Sequence, residues 1–145
     1  MNDELHEKTR ALLREAITSF EMLEIVLLMR SRPDVSWTAA AVAGRVHIAD
    51  ELVARALQAL HQVRLASMID APPGSKGGPL FQFRPANAEL AAASEALALD
   101  FTERRAAVLS TTSTNAIERL RSGALSAFAD AFVFGPPSGS KRKDG

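Results

Sequence analysis

From its start to Gln62 the chain repeats apolar residues at helical spacing, interrupted by one short strand-like piece at Val35-Ser36-Trp37. It then switches to two strand-like runs, Leu65 to Ile69 and Leu80 to Arg84, before helical spacing returns near Ala88. Between the two runs stand Pro72, Pro73, Gly74, Gly77, Gly78 and Pro79, residues that interrupt regular structure, so a hairpin with a loose tip is predicted. A lone two-stranded hairpin is marginal in water and has to pack on its neighbours. The pattern therefore predicts a mainly α domain carrying one small ribbon, and argues against both a pure bundle and a large sheet.

The helices can be bounded by their caps. Glu4 to Ala16 reads as a charged accessory helix with Leu5, Leu12 and Leu13 on one side. Thr18-Ser19-Phe20-Glu21 has the spacing of a capping box and predicts a second helix, with Leu23, Val26 and Leu27 on its core face, stopping before Pro33. Val35-Ser36-Trp37 is strand-like, and Trp37 reads as a core plug because tryptophan brings a large area to one packed site. Thr38 caps an alanine-rich helix to Val46. After His47-Ile48-Ala49, a fourth helix runs from Asp50 to about Gln62, with Val53, Ala56, Leu57 and Leu60 inward. Asn87 then caps a long helix expected to reach Leu109, in which Leu90, Leu97, Phe101 and Val108 form a coiled-coil-like seam interrupted by Ser94 and Arg104. The hydroxyl run Ser110 to Thr114 predicts a break, and a last helix is expected from Asn115 to Phe134, followed by a solvated, disordered tail over 135–145.

Composition removes several function classes. The 145 residues carry 17 basic and 17 acidic side chains and no cysteine, so a strongly cationic nucleic-acid wrapper, a disulfide framework, a zinc finger and a thiol nucleophile are all excluded. The apolar run Met22 to Met29 is interrupted by Glu24 and does not read as a signal peptide or membrane span, so a cytoplasmic protein is expected. His6, His47 and His61 lack metal-ligand spacing, and no nucleophile elbow or phosphate-cradling glycine motif is present, so neither a metal, a cofactor nor catalysis is expected.

The order helix, short strand, helix, turn, helix, Gly/Pro-tipped hairpin is that of a winged helix-turn-helix domain. The stretch from Val42 to Leu60, with Ala43, Val46, Ile48, Val53, Ala56, Leu57 and Leu60 on the buried side, resembles that of bacterial winged helix-turn-helix transcriptional regulators. With Phe101-Thr102-Glu103-Arg104-Arg105, the whole layout resembles a small bacterial group that ends in a long helix. His47 stands where such proteins usually have a turn glycine, and histidine tolerates the left-handed backbone better than most residues.

The resemblance implies that the helix from Asp50 enters the major groove of double-stranded DNA while the hairpin flanks the backbone. It implies Arg55, Gln58 and Gln62 near bases, and Arg45, Arg64, Ser75 and Lys76 near phosphates; read without it, the same residues are equally a solvated helix face and a solubilising loop tip. Leu52 can meet a thymine methyl or equally anchor a protein partner. Local chemistry argues the other way. Asp50 and Glu51 stand at the helix end that normally attracts anions, and Pro33 to Pro85 holds five basic against four acidic residues, a thin electrostatic footprint. The expected organisation is an accessory helix over 1–18, a winged helix-turn-helix over 19–85 and a helical dimerisation arm over 86–134. Leu90, Leu97, Phe101, Val108, Phe128 and Phe132 are the expected homodimer contacts. The alternative is a winged-helix module that docks a protein and binds little or no DNA.

Overall fold

The computed structural model describes residues 4–74 and 76–133, the last ten of them in backbone only. Its elements are α1 (Glu7–Glu15), α2 (Phe20–Ser31), β1 (Ser36–Trp37), α3 (Ala39–Val46), α4 (Asp50–Gln62), β2 (Ala66–Ile69), β3 (Leu80–Phe83), α5 (Ala88–Glu103) and α6 (Arg105–Val133). Two compact units result, Met1–Ser113 and Thr114–Gly145, and the fold described below is that of the first.

Two of the predicted caps form, and a third falls one residue from its expected place. The Thr38 hydroxyl accepts from the Ala41 amide at 3.1 Å and the Asn87 side chain accepts from Leu90 at 2.8 Å, in both cases from an extended residue that opens the helix. At α2 the cap is Ser19, which accepts from Met22 at 3.1 Å, while the Thr18 hydroxyl turns to the Met22 sulfur. The cap therefore falls one residue later than expected, and its third position is Met22, which cannot return the reciprocal bond of a capping box. His47 ends α3 in the left-handed region, at φ 59° and ψ 42°, as its place in the sequence suggested. Arg64 does the same after α4, at φ 68°.

The strands make a three-stranded antiparallel sheet in the order β1-β3-β2. Ser36 and Trp37 pair with Gln82 and Phe81 on one side of β3, and Ala66 to Ile69 pair with Phe83 to Leu80 on the other. The third strand removes an open edge from β3 and fastens the ribbon to the helical core through Trp37 and Phe81, both buried. The core gathers Leu12, Leu13 and Ile17 from the start of the chain, Leu23, Ile25 and Met29 from α2, and Leu57, Leu60, Leu65 and Leu97 from the rest.

The C-terminal helices differ from expectation in two ways. The break falls at Arg104, not in the hydroxyl run, and α6 continues through Ser110 to Thr114. The Thr112 hydroxyl explains why, since it donates to the Val108 carbonyl one turn back at 2.8 Å and so satisfies itself without leaving the helix. The seam also faces inward. Leu97 and Val108 are fully buried in this chain's own core, and Leu90 and Phe101 are half-buried against it, because α1 and α2 supply the apolar cover that a partner was expected to bring.

α1 is more than an appendage. It lies antiparallel along α5, and its first turn is joined to the end of α5 by Asp100, whose carboxylate is 0% exposed. The His6 amide donates to Oδ2 at 2.9 Å, while the His6 ring nitrogen Nδ1 and Arg104 Nη1 each lie 2.8 Å from Oδ1. Burial pushes the Asp100 pKa up. The Thr9 hydroxyl, close by though outside strict hydrogen-bond geometry, together with the His6 amide and ring, outweighs that and holds it below the usual aspartate value.

Candidate nucleic-acid interface

α4 sorts its residues by the 100° that each helical position advances. Val53, Ala56, Leu57 and Leu60 are buried against α2, α3 and β2. Glu51, Arg55, Gln58 and Gln62 fall within roughly 60° of arc on the opposite side, by the same arithmetic, and all four are exposed. Leu52, flanking this face, is 42% exposed, a large apolar side chain left uncovered on the outward surface. It lines a groove of about 270 Å³ with Arg55 and Ala59 of α4 and Thr18, Ser19 and Met22 of the α2 entry.

The reach of this face is modified by neighbours that the sequence did not announce. The Gln58 amide donates to the Met68 sulfur at 3.5 Å, so the side chain leans toward β2. The N-cap position of α4 is Ala49, which offers no side-chain acceptor, and the acidic first turn of Asp50 and Glu51 sits beside the free amides instead. The helix end is thus electrostatically satisfied by its own carboxylates, and it does not draw anions as an uncompensated N-terminus would.

The expected phosphate contacts do not form one cluster. β2 runs back along α4, with the His61 ring against the Ala66 carbonyl at 3.1 Å and Gln58 against Met68, so the hairpin tip lies toward the N-terminal end of α4. Lys76 is exposed at that tip, between Gly74 and Gly78, whose φ values of 86° and 76° let the turn close. Arg64 is at the opposite end, at the base of the ribbon, where its carbonyl accepts from Ala86. Arg45 is exposed at the end of α3 with its guanidinium 5.7 Å from the centre of the Trp37 ring. A Cβ on Gly77 would meet the Thr38 methyl at 3.3 Å, so the tip approaches the start of α3 as well. Ser75 and residues 134–145 lie outside the described residues, as do the side chains of Phe128 and Phe132.

Of the remaining expected dimer contacts, Leu90 lines an open groove of about 450 Å³ between α1 and α5. Phe101 lines another of about 420 Å³, with Phe20, Leu23 and Leu27 of α2 and Leu109 of α6, and the Arg105 guanidinium lies 4.5 Å over its ring. On α6, Ile117 is exposed and Leu120 is 76% exposed, two apolar positions one turn apart. Among the described residues no three His, Cys, Asp or Glu side chains are grouped to hold a metal ion, and no helix is long and apolar enough to cross a membrane.

Neither a scan of protein-family models nor a search of curated proteins finds a match to the chain. Among solved structures it is similar to a point mutant of MepR from S. aureus, with a TM-score of 0.50 and 13% identity over 86% of this chain and 88% of that one. It is also similar to the reduced form of MarR from E. coli, at TM-score 0.45 and 14% identity over 88% and 89% of the two chains. A point mutant of ZitR from Lactococcus lactis gives TM-score 0.37 and 17% identity over 91% and 78%. Such identities speak to the fold alone, and the MepR likeness, with the element order described above, makes that fold a winged helix-turn-helix.

Proposed function

We propose that this chain is a cytoplasmic DNA-binding transcriptional regulator, not an enzyme, that acts as a homodimer without a cofactor. The observation that carries the reading is the α4 face: Arg55, Gln58 and Gln62 stand exposed together on the second helix of a helix-turn-helix, opposite a fully buried apolar stripe. Arg55 is suited to the paired acceptors of guanine, and Gln58 and Gln62 to the donor-acceptor edge of adenine. Arg45 and Lys76 supply phosphate contacts on either side, and Arg64, at the ribbon base, adds a third where the duplex backbone curves within its reach. Leu52 packs on a thymine methyl. Ser75 beside Lys76 is the remaining tip contact.

Dimerisation falls to surfaces that the single chain leaves apolar and open. Leu109, Ile117 and Leu120 are exposed, and Leu90 and Phe101 are reachable through their grooves, whereas Leu97 and Val108 act only by supporting the helices from inside. Phe128 and Phe132, whose side chains lie outside the described residues, are assigned to the same interface from the sequence alone.

Leu52 beside its groove, with the acidic Asp50 and Glu51, favours a second reading, a protein-docking module. A low-salt gel shift with pooled genomic duplexes separates the two. Retarded DNA that Arg55→Ala releases supports regulation through α4. Absence of any shift, together with recovery of a protein partner that Leu52→Asp abolishes, overturns it.

A further inference from the structure

The Asp100 carboxylate joins three parts of the chain at one buried point. It takes the His6 amide and ring from the start of α1, receives Arg104 from the residue that separates α5 from α6, and itself belongs to the last turn of α5. The N-cap position of α1 is His6, which makes no side-chain cap bond, and its own amide meets a carboxylate supplied from 94 residues away. The positive end of the α1 dipole faces the same carboxylate.

At the other side, Arg104 leaves helical geometry, at φ −137° and ψ 48°, and folds its guanidinium back over Asp100 and Glu103. α6 restarts at once, with the Val108 amide donating to the Arg104 carbonyl at 3.0 Å. The bend is therefore held by the same oxygen that accepts the His6 ring. Along the rest of the α1 and α5 contact, toward Asn87 and Leu90, the open groove of about 450 Å³ leaves the two helices incompletely packed. One end of the contact is tied by charge-assisted hydrogen bonds and the other is loose.

We propose that Asp100 is a joint that makes the docking of α1 and the bend at Arg104 a single cooperative event, so that whatever binds or displaces α1 is transmitted to the base of α6. The titratable and charged groups around the joint are His6 at the N-cap of α1, Arg10 of α1, Glu103 of α5, Arg104 at the bend and Arg105 of α6. Arg10 is turned away to the Leu5 carbonyl at 2.9 Å and Arg105 to the Phe101 ring. The Thr9 hydroxyl of α1 lies beside the same carboxylate, so His6 and Thr9 hold it from the α1 side and Arg104 from the bend, and the coupling has to run through both sides. A buried charge whose partner is removed is left uncompensated, so neither side can be cut without loading the other.

Amide hydrogen exchange, read segment by segment in the full chain, tests this directly. His6→Ala changes a side chain that is 47% exposed at the edge of the fold. It is expected to speed exchange about tenfold in α1, the order set by losing one charge-assisted hydrogen bond, and to speed exchange over 105–108 as well. Arg104→Ala is expected to do the same to α1 from the other side, with α4 unchanged in both. Should an alanine variant fail to fold, Arg104→Lys, which keeps one ammonium donor, is expected to retain protection in both segments. Faster exchange in α1 alone after His6→Ala, in 105–108 alone after Arg104→Ala, or in one segment alone after Arg104→Lys, overturns the joint and leaves two independent contacts.

Discussion

His47 is the residue whose replacement gives the sharpest test of the helix-turn-helix geometry. Its backbone sits at φ 59° and ψ 42° while its side chain is exposed and its amide is spent on the Ala43 carbonyl at 2.9 Å. An L-residue in this region is disfavoured by about 1–2 kcal/mol relative to glycine, whereas glycine costs about 0.5–1 kcal/mol of extra chain entropy on folding. The difference predicts that His47→Gly stabilises the protein by about 0.5–1 kcal/mol, because nothing the imidazole touches is lost. For a chain of 145 residues that corresponds to a rise in Tm of about 2–3 °C. His47→Val carries the opposite sign, since a β-branched residue is a marked outlier at positive φ. Thermal unfolding followed by circular dichroism at fixed protein concentration reads both. A His47→Gly variant that melts below wild type, or a His47→Val variant that melts with it, would refute the left-handed turn between α3 and α4.

Other perturbations separate core, cap, joint and interface. Leu57→Ala, at a fully buried position of α4, is expected to cost about 2–5 kcal/mol in urea unfolding, while Leu52→Ala on the exposed side of the same helix stays within about 0.5 kcal/mol. Thr38→Ala removes the α3 cap and lowers stability by about 1 kcal/mol in the same assay. Because Asp100 is held below the usual aspartate pKa in the folded state, it contributes stability that is present above that usual value and lost as pH falls through the lower folded one. Asp100→Asn therefore flattens the acid limb of stability against pH, and an unchanged limb would show that the carboxylate is not held as described. Sedimentation of wild type against Leu120→Asp checks the dimer: a shift toward monomer is expected, and an unchanged profile removes α6 from the interface.

The architecture was legible because its signals are local. Thr38 and Asn87 are hydroxyl and amide caps ahead of alanine-rich stretches, Pro33 stops α2, and the glycine and proline cluster of the tip marks the ribbon, so these boundaries need no tertiary knowledge. The α4 face was legible for the same reason, since a helical period separates Arg55, Gln58 and Gln62 from Leu57 and Leu60 wherever the helix lies. What stayed hidden depends on partners distant in sequence. The inward turn of Leu97 and Val108 requires knowing that α1 and α2 cover α5 and α6. The persistence of α6 through Ser110 to Thr114 depends on a hydroxyl bonding back to Val108, which the residue types alone allow but do not require. Arg64 and Lys76 were both expected near phosphates, and the antiparallel course of β2 sets them at opposite ends of the ribbon. Of the Asp100 joint the sequence holds one faint mark, the four-residue spacing to Arg104, and no sign of His6.

The most direct measurement is selection of duplexes from a random pool by the wild-type chain, followed by anisotropy titration of the enriched sequence across a salt series. DNA recognition through α4 predicts a two-fold symmetric site whose halves are about 34 Å apart, as one turn of the duplex requires. It predicts that Arg55→Ala weakens this site by at least about fivefold, more than 1 kcal/mol, while leaving binding to unrelated duplexes unchanged. It further predicts that Lys76→Ala lowers the salt dependence by about 0.9 for each phosphate contact removed, without altering the preferred sequence. A pool that shows no enrichment at low salt, or an enriched site that Arg55→Ala binds as tightly as wild type, would contradict the account.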